Sequence, residues 1–261
     1  MHIHLPKAIH GWREFAKEIA IIVIGVLIAL GFEQVVEWVH WQHKVAEGEE
    51  RLRVEGAQMF KAAAESAYSG PCVIGQLQQM EQRVLTSGDR LSPTPLQRPA
   101  RNVAFAVPDG VVLKGNFRLV APSVWDALRE DGTAMHMPVW RQRRLSVAYN
   151  IHAIRNAATA RIATPSQALG QPIPLDPATR AGLIANISEV RNDVIGSIGG
   201  SVSLMGALRD VDLAPPPAEV DDYLATRSAD LVSFCRTLGL PMGDWRAQLA
   251  RMPSLKDRGL D

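Results

Sequence analysis

The chain has 261 residues, of which 47% are apolar and 21% charged, an ordinary globular balance. A net charge of +1 excludes an overall field that would draw it to nucleic acid, and 6% aromatic residues argue against an aromatic-rich β-sandwich. Its two cysteines, Cys72 and Cys235, have neither C-x-x-C nor Cys/His zinc spacing.

In chain order, the first element is apolar. Ile19 to Phe32 contains no polar side chain. It is shorter than the roughly 20 residues that cross a bilayer, but Phe15 and Ala16 before it and Val35, Val36, Trp38 and Val39 after it extend it. Trp12 and Trp38 are separated by about 39 Å of helix at about 1.5 Å per residue, close to the spacing of the two bilayer interfaces that tryptophan prefers; Trp41 follows. The expected organisation is a cytoplasmic tail at 1–18, a transmembrane helix at 19–39 and an extracytoplasmic domain at 40–261. Lys7, Arg13 and Lys17 precede the run, whereas Glu33 and Glu37 follow it and no basic residue appears until Lys44. The positive-inside rule therefore puts the N-terminus in the cytoplasm. Two competing readings are a signal peptide cleaved near Ala29-Leu30-Gly31 and a buried core helix. Gly25 and Ala29 form a small-xxx-small pair of the kind that lets helices approach closely.

The stretch Trp12-Arg13-Glu14-Phe15, Glu18-Ile19 and Ile24-Gly25-Val26-Leu27-Ile28-Ala29-Leu30 resembles the opening of a family of uncharacterised bacterial single-pass membrane proteins. Ser123-Val124-Trp125-Asp126-Ala127-Leu128 and His136-Met137-Pro138 are similar to that family's central segment. The resemblance implies a membrane anchor and a helical extracytoplasmic domain; it implies no activity.

From Trp38 to about Tyr68 the composition favours a helix leaving the membrane, with Val45, Leu52, Met59 and Ala63 as its apolar stripe. Gly70-Pro71 is expected to end it, and a second helix is expected from Cys72 to about Ser87, with Ile74, Leu77, Met80 and Val84 on one face. Proline-rich residues 92–100 read as a loop. The β-prone runs around Pro108-Asp109-Gly110 fit either a small hairpin or an irregular loop. A short helix is expected over Pro122–Arg129, and a longer one from Pro138 to about Thr164 with Ala148, Ile151, Ile154, Ala158 and Ile162 as its apolar side. Asp176-Pro177 is a helix start. After it Leu183, Ile187, Val190, Val194, Ile198, Val202 and Met205 recur at helical steps to about Arg209. Past Pro215-Pro216-Pro217, one helix is expected from Glu219 to Leu238 with Gly239 as its cap, then a short helix after Asp244. The expected fold class is mainly α: an N-terminal transmembrane helix continuing into an antiparallel helical bundle, with room for one β-hairpin.

Candidate chemistry is sparse. Glu37, His40, His43 and Glu47 cover about a third of one helix circumference; imidazole and carboxylate there could bind a transition metal, or form a polar face where the helix leaves the bilayer. His2, His4 and His10 read as a solvated tail. Arg141, Arg144 and Arg155 share a helix face that could meet an acidic partner or anionic lipid, be solvated, or pair with acidic residues on neighbouring helices. With the domain outside the cytoplasm, Cys72 and Cys235 could form a disulfide; two buried free thiols are the alternative. His136 and His152 have no accompanying catalytic pattern, and no nucleophile-elbow, phosphate-loop, dinucleotide or zinc-protease signature occurs. The expectation is a non-enzymatic protein without cofactor or bound metal, whose partners are the lipid bilayer and either a protein or a second copy of itself. It would serve as an accessory or scaffold subunit of an envelope complex; a single-pass sensor of a small ligand is the alternative.

Overall fold

The computed structural model describes residues 11–91, 104–107, 111–115, 118–162 and 173–254. The tail carrying Lys7 and the three N-terminal histidines, the loop at 92–100 and the turn tripeptide Pro108-Asp109-Gly110 lie outside them. The fold is mainly α, dominated by three long helices: α1 (Trp12–Thr86, 75 residues), α3 (Val139–Ile162, 24 residues) and α4 (Pro177–Asp210, 34 residues). Four short ones complete the described set: α2 (Val124–Glu130), α5 (Pro217–Arg227), α6 (Ala229–Thr237) and α7 (Trp245–Ala250). A two-residue pairing joins β1 (Arg90–Leu91) to β4 (Ile173–Pro174). Of the two readings of the central β-prone runs, the hairpin is the one formed: β2 (Ala104–Val107) pairs antiparallel with β3 (Val111–Lys114).

α1 is where the structure departs most from the sequence expectation. It does not stop at Gly70-Pro71 but continues to Thr86, absorbing the expected second helix. Proline inside a helix removes one N–H and strands the carbonyl four residues earlier, at a cost of about 3 kcal/mol. Here that carbonyl belongs to Ala67, and Gln248 on α7 donates its side-chain amide to it at 3.2 Å. The backbone N–H of Gly243 donates to the next carbonyl, Tyr68, at 2.7 Å. The C-terminal segment therefore supplies donors where the proline leaves carbonyls short, and tertiary packing overrides the local stop signal. Gly243 also has to be glycine, because a Cβ there would overlap the Ala67 carbonyl oxygen, which is backbone and cannot swing away. Gly243→Ala should lower stability by about 1–3 kcal/mol, read as a drop in denaturant midpoint. An unchanged midpoint would mean the two segments do not meet this closely.

The helix directions follow from the side-chain partners. Arg180 on α4 donates to the Val84 carbonyl, and Arg191 pairs with Glu81 at 2.6 Å. Further back along α1, a Cβ on Gly56 would press on Leu213, just past α4. α4 is thus antiparallel to α1. α3 is not: Arg141 meets Glu49, and Arg155 meets Ala62 and Ser66, so α3 runs parallel to α1. Among the three long helices, the α1–α4 and α3–α4 pairs are antiparallel and the α1–α3 pair is parallel. The main core sits between α1, α3 and α4 and includes Leu52, Met59, Phe60, Leu145, Leu204 and Leu208. A second cluster, with Leu77, Val84, Leu183, Ile187 and Val194, fills the far end.

Caps explain the other boundaries. The Asp176 carboxylate accepts from the N–H groups of Ala178 and Thr179, both at 2.9 Å, and starts α4 before Pro177. Asp244 accepts from Ala247 and starts α7. Gly239, at φ 68°, ends α6 with the Leu240 N–H returning to the Cys235 carbonyl. The single helix expected over Glu219–Leu238 is two. Buried Ser228, with ψ 5°, closes α5 through its N–H to Leu224 and lends its own carbonyl to Val232 to begin α6. α6 then lies against α1, where Cys72 and Cys235 form a disulfide across 163 residues of sequence, with Cα atoms 6.0 Å apart. Both cysteines are fully buried.

Candidate functional site

Two regions stand out: the bare N-terminal stretch of α1, and α3 with its buried polar network and the groove beside it. The first is exposed along its whole length. Trp12, Ile19, Ile24, Phe32 and Trp38 are solvent-facing, as are Gly25 and Ala29. None of the best apolar window of α1 is buried, which removes the buried-core-helix reading; the helix has the length and composition to cross a membrane. The first contact with the rest of the fold comes at Trp41. Its ring stacks on His136 at 3.9 Å between centroids and 15° between planes, and Lys44 lies over its ring at 5.0 Å. His136 belongs to a one-turn 3-10 helix (Thr133–His136) leading into α3. Glu37, His40, His43 and Glu47 are all exposed, and among the described residues no three histidine, cysteine or acidic side chains are grouped as metal ligands.

The arginine face resolves differently. Arg141, Arg144 and Arg155 are buried at 9%, 6% and 0% exposure, so this face turns inward. Arg141 pairs with Glu49 at 2.9 Å and donates to the Val211 carbonyl; Arg144 donates to the Asp210 carbonyl. Arg155 is the centre of the network. Its Nε donates to Ser201 Oγ at 2.9 Å, its Nη1 to the Arg118 carbonyl and Asn156 Oδ1, and its Nη2 to the Ala62 carbonyl and Ser66 Oγ. All five guanidinium N–H groups have acceptors. Burial lowers its pKa to about 10, with the Glu65 charge opposing that shift. Glu65 is itself buried and accepts from Tyr223 at 3.0 Å.

Beside this network the segment from Leu119 to Val124 is fixed onto α1 and α3. Glu55, on α1, accepts from the N–H groups of Ser123 at 2.7 Å and Val124 at 3.2 Å, and so serves as a remote cap for α2, where an anion is favourable. Tyr149 donates its hydroxyl to the same carboxylate; burial foremost, and then that bond and the Glu55 charge, push the phenol pKa well above the usual range. His152 Nε2 and Asn156 Nδ2 both lie within hydrogen-bond distance of the Val120 carbonyl, at 2.9 and 2.5 Å. With Nε2 as donor to Val120, Nδ1 is an unprotonated acceptor, buried and without a hydrogen-bond partner among the described residues. Burial foremost, and the Arg155 charge, push the His152 pKa below 6.5, against the opposing pull of the Val120 carbonyl and Glu55. The sign follows: the unfolded chain binds a proton near pH 6.5 that the folded imidazole refuses. The stability from neutral His152 is therefore complete above pH 6.5 and is lost as pH falls through the folded pKa. Melting temperature should decline from pH 7.5 to pH 5, and His152→Gln should flatten the part of that decline due to this residue. An equally steep slope in the variant would contradict it.

Between Leu119–Asp126 and the outer side of α3 lies a groove of about 790 Å³, whose lining includes Leu119, Pro122, Trp125, Tyr149, Ala153 and Ala157. Leu119 is half exposed, as are Val147 and Ile154 on α3. Ile154 was expected inside; the inward positions beside it are His152 and Arg155 instead. The network and the groove are what reading the sequence by apolar periodicity misses. The available signal is that Arg141, Arg144, Leu145, Ala148, His152, Arg155, Thr159 and Ile162 recur at three- and four-residue steps whatever their polarity. The polar members bind and orient backbone; none has the nucleophile–base geometry of a covalent catalyst. Set against known protein families, curated proteins and solved structures, the chain matches none.

Proposed function

We propose that this is a membrane-anchored, non-enzymatic accessory or scaffold protein of a bacterial envelope complex, held in the inner membrane with its N-terminus cytoplasmic and its domain outside. The observation that carries the reading is the continuity of α1. One helix of about 110 Å, at about 1.5 Å per residue, passes without a break from a fully exposed apolar stretch into core positions such as Leu52 and Met59. A domain mounted this way is held at a fixed height, as a scaffold requires and a flexible tether would not allow. The resemblance of the opening segment to bacterial single-pass proteins supports the same reading. The α3 groove, lined largely by apolar and small side chains, is the surface assigned to the partner. The alternative, a sensor of a small ligand in that groove signalling through the anchor, has His152, Asn150 and Asn156 among the groove's lining residues in its favour.

The test is purification of the tagged chain in mild detergent with identification of what accompanies it. Scaffolding predicts a stoichiometric protein that is lost, by tenfold or more, on Ala153→Arg, since Ala153 is exposed in the groove and its replacement should change stability by less than about 0.5 kcal/mol. The chain alone with a bound small molecule would favour the sensor, and a partner retained by the variant would move the interface elsewhere.

A further inference from the structure

The membrane-facing end of the domain is apolar where it has no protein partner. The 3-10 turn and the first turn of α3 present Met135 at 76% exposure, Val139 at 61% and Trp140 at 39%. Such side chains on a soluble rim would gain by leaving water, by about 25 cal/mol per Å2.

The His136–Trp41 stack sets the level of Met135 along α1, and the Arg141–Glu49 pair sets the first turn of α3 further along, between Trp41 and Glu49. Trp41 lies two residues, about 3 Å of helix, beyond a span ending at residue 39, within the headgroup layer. Because α3 runs parallel to α1, its N-terminal turn is its near end, and everything after it moves away from the bilayer. The lateral chemistry matches that depth. Trp38 and Trp41 on α1 and the partly exposed Trp140 on the first turn of α3 are residues of the kind found at the interface. Lys44 lies over the Trp41 ring and Arg143, three residues after Trp140, is exposed; these long cationic side chains can reach phosphates, whereas Arg144, over the Trp140 ring at 5.2 Å, is held inside by the Asp210 carbonyl.

We infer that Met135, Val139 and Trp140 insert into the outer-leaflet interface as a second membrane contact, holding the domain upright on its anchor. The occupant of this rim is phospholipid. The inference rests on the anchor reading above.

The experiment reconstitutes the full-length chain into phosphatidylethanolamine/phosphatidylglycerol vesicles, with an environment-sensitive fluorophore on Met135→Cys or Val139→Cys, and on Ile195→Cys as a reference exposed on α4 far from the rim. Labelling is done without reductant so that the Cys72–Cys235 bond stays intact. Flotation of the chain with vesicles tests the anchor separately. The expected result is flotation of all three, with emission at 135 and 139 rising several-fold and quenched by lipids carrying a headgroup-level spin label, while 195 is unaffected. Flotation with no more quenching at 135 and 139 than at 195 overturns the rim and leaves the anchor standing. Failure to float removes the anchor and the rim with it. As a second variant, Trp140→Ser in the 135-labelled chain should float equally well and lose at least half of the quenching; undiminished quenching would remove Trp140 from the contact.

Discussion

Arg155→Ala is expected to lower the unfolding free energy by about 3–5 kcal/mol, the range for opening a core cavity together with stranding buried hydrogen-bond partners. The residue is fully buried, and its five donors tie α3 to Ala62 and Ser66 on α1, to Ser201 on α4 and to the Arg118 carbonyl. Removing the guanidinium leaves two hydroxyls and two carbonyls without this donor, and leaves the Glu65 carboxylate buried without the nearby positive charge. For a domain of this size the loss corresponds to a melting shift of roughly 10 °C, at about 2–4 °C per kcal/mol. Arg155→Met separates the contributions, since it restores much of the volume and none of the donors. It should fall between wild type and Arg155→Ala. A methionine variant as stable as wild type would mean the network fixes geometry without adding net stability, as buried polar clusters sometimes do.

Loss of the Cys72–Cys235 disulfide should be comparable. Closing a loop of 163 residues restrains the unfolded chain by about 5 kcal/mol in a chain-entropy treatment. Cys72→Ala with Cys235→Ala, or reduction of the wild-type chain, should therefore move the denaturant midpoint down substantially. The first region to loosen should be α6 and the Leu240–Met242 segment, which pack around the bond. The midpoint staying put on reduction would place the two sulfurs apart in the folded protein.

Much of this architecture is legible in the sequence because it rests on local chemistry. Asp176-Pro177 reads as a helix start, and Asp176 caps α4. The stripe from Leu183 to Met205 reads as one face, and Leu183, Ile187, Val194 and Met205 are buried. Gly239 reads as a stop, and its positive φ closes α6. What the sequence conceals is decided by partners far along the chain. Pro71 is a breaker by every local rule, yet Gln248 and Gly243, more than 170 residues later, donate to the carbonyls at that turn. On α3 the arginines sit inside because Glu49 and buried backbone carbonyls of distant elements receive them. An apolar-stripe reading cannot find a core face whose members are charged. The groove was hidden for the same reason, since the Leu119–Val124 wall is held by Glu55, Tyr149, His152 and Asn156, which no motif connects.

The central claim is that α1 crosses the membrane before it enters the domain, with the domain outside. Cysteines substituted at Arg13 and at Gln42, both exposed, flank the apolar stretch. Treatment of bacterial spheroplasts with a membrane-impermeant maleimide tests the claim most directly. The account predicts that the chain sediments with membranes, that Gln42→Cys is labelled from outside and that Arg13→Cys is labelled only after permeabilisation. Labelling of Arg13→Cys but not Gln42→Cys in intact spheroplasts, or recovery of the chain in the soluble fraction, would contradict it.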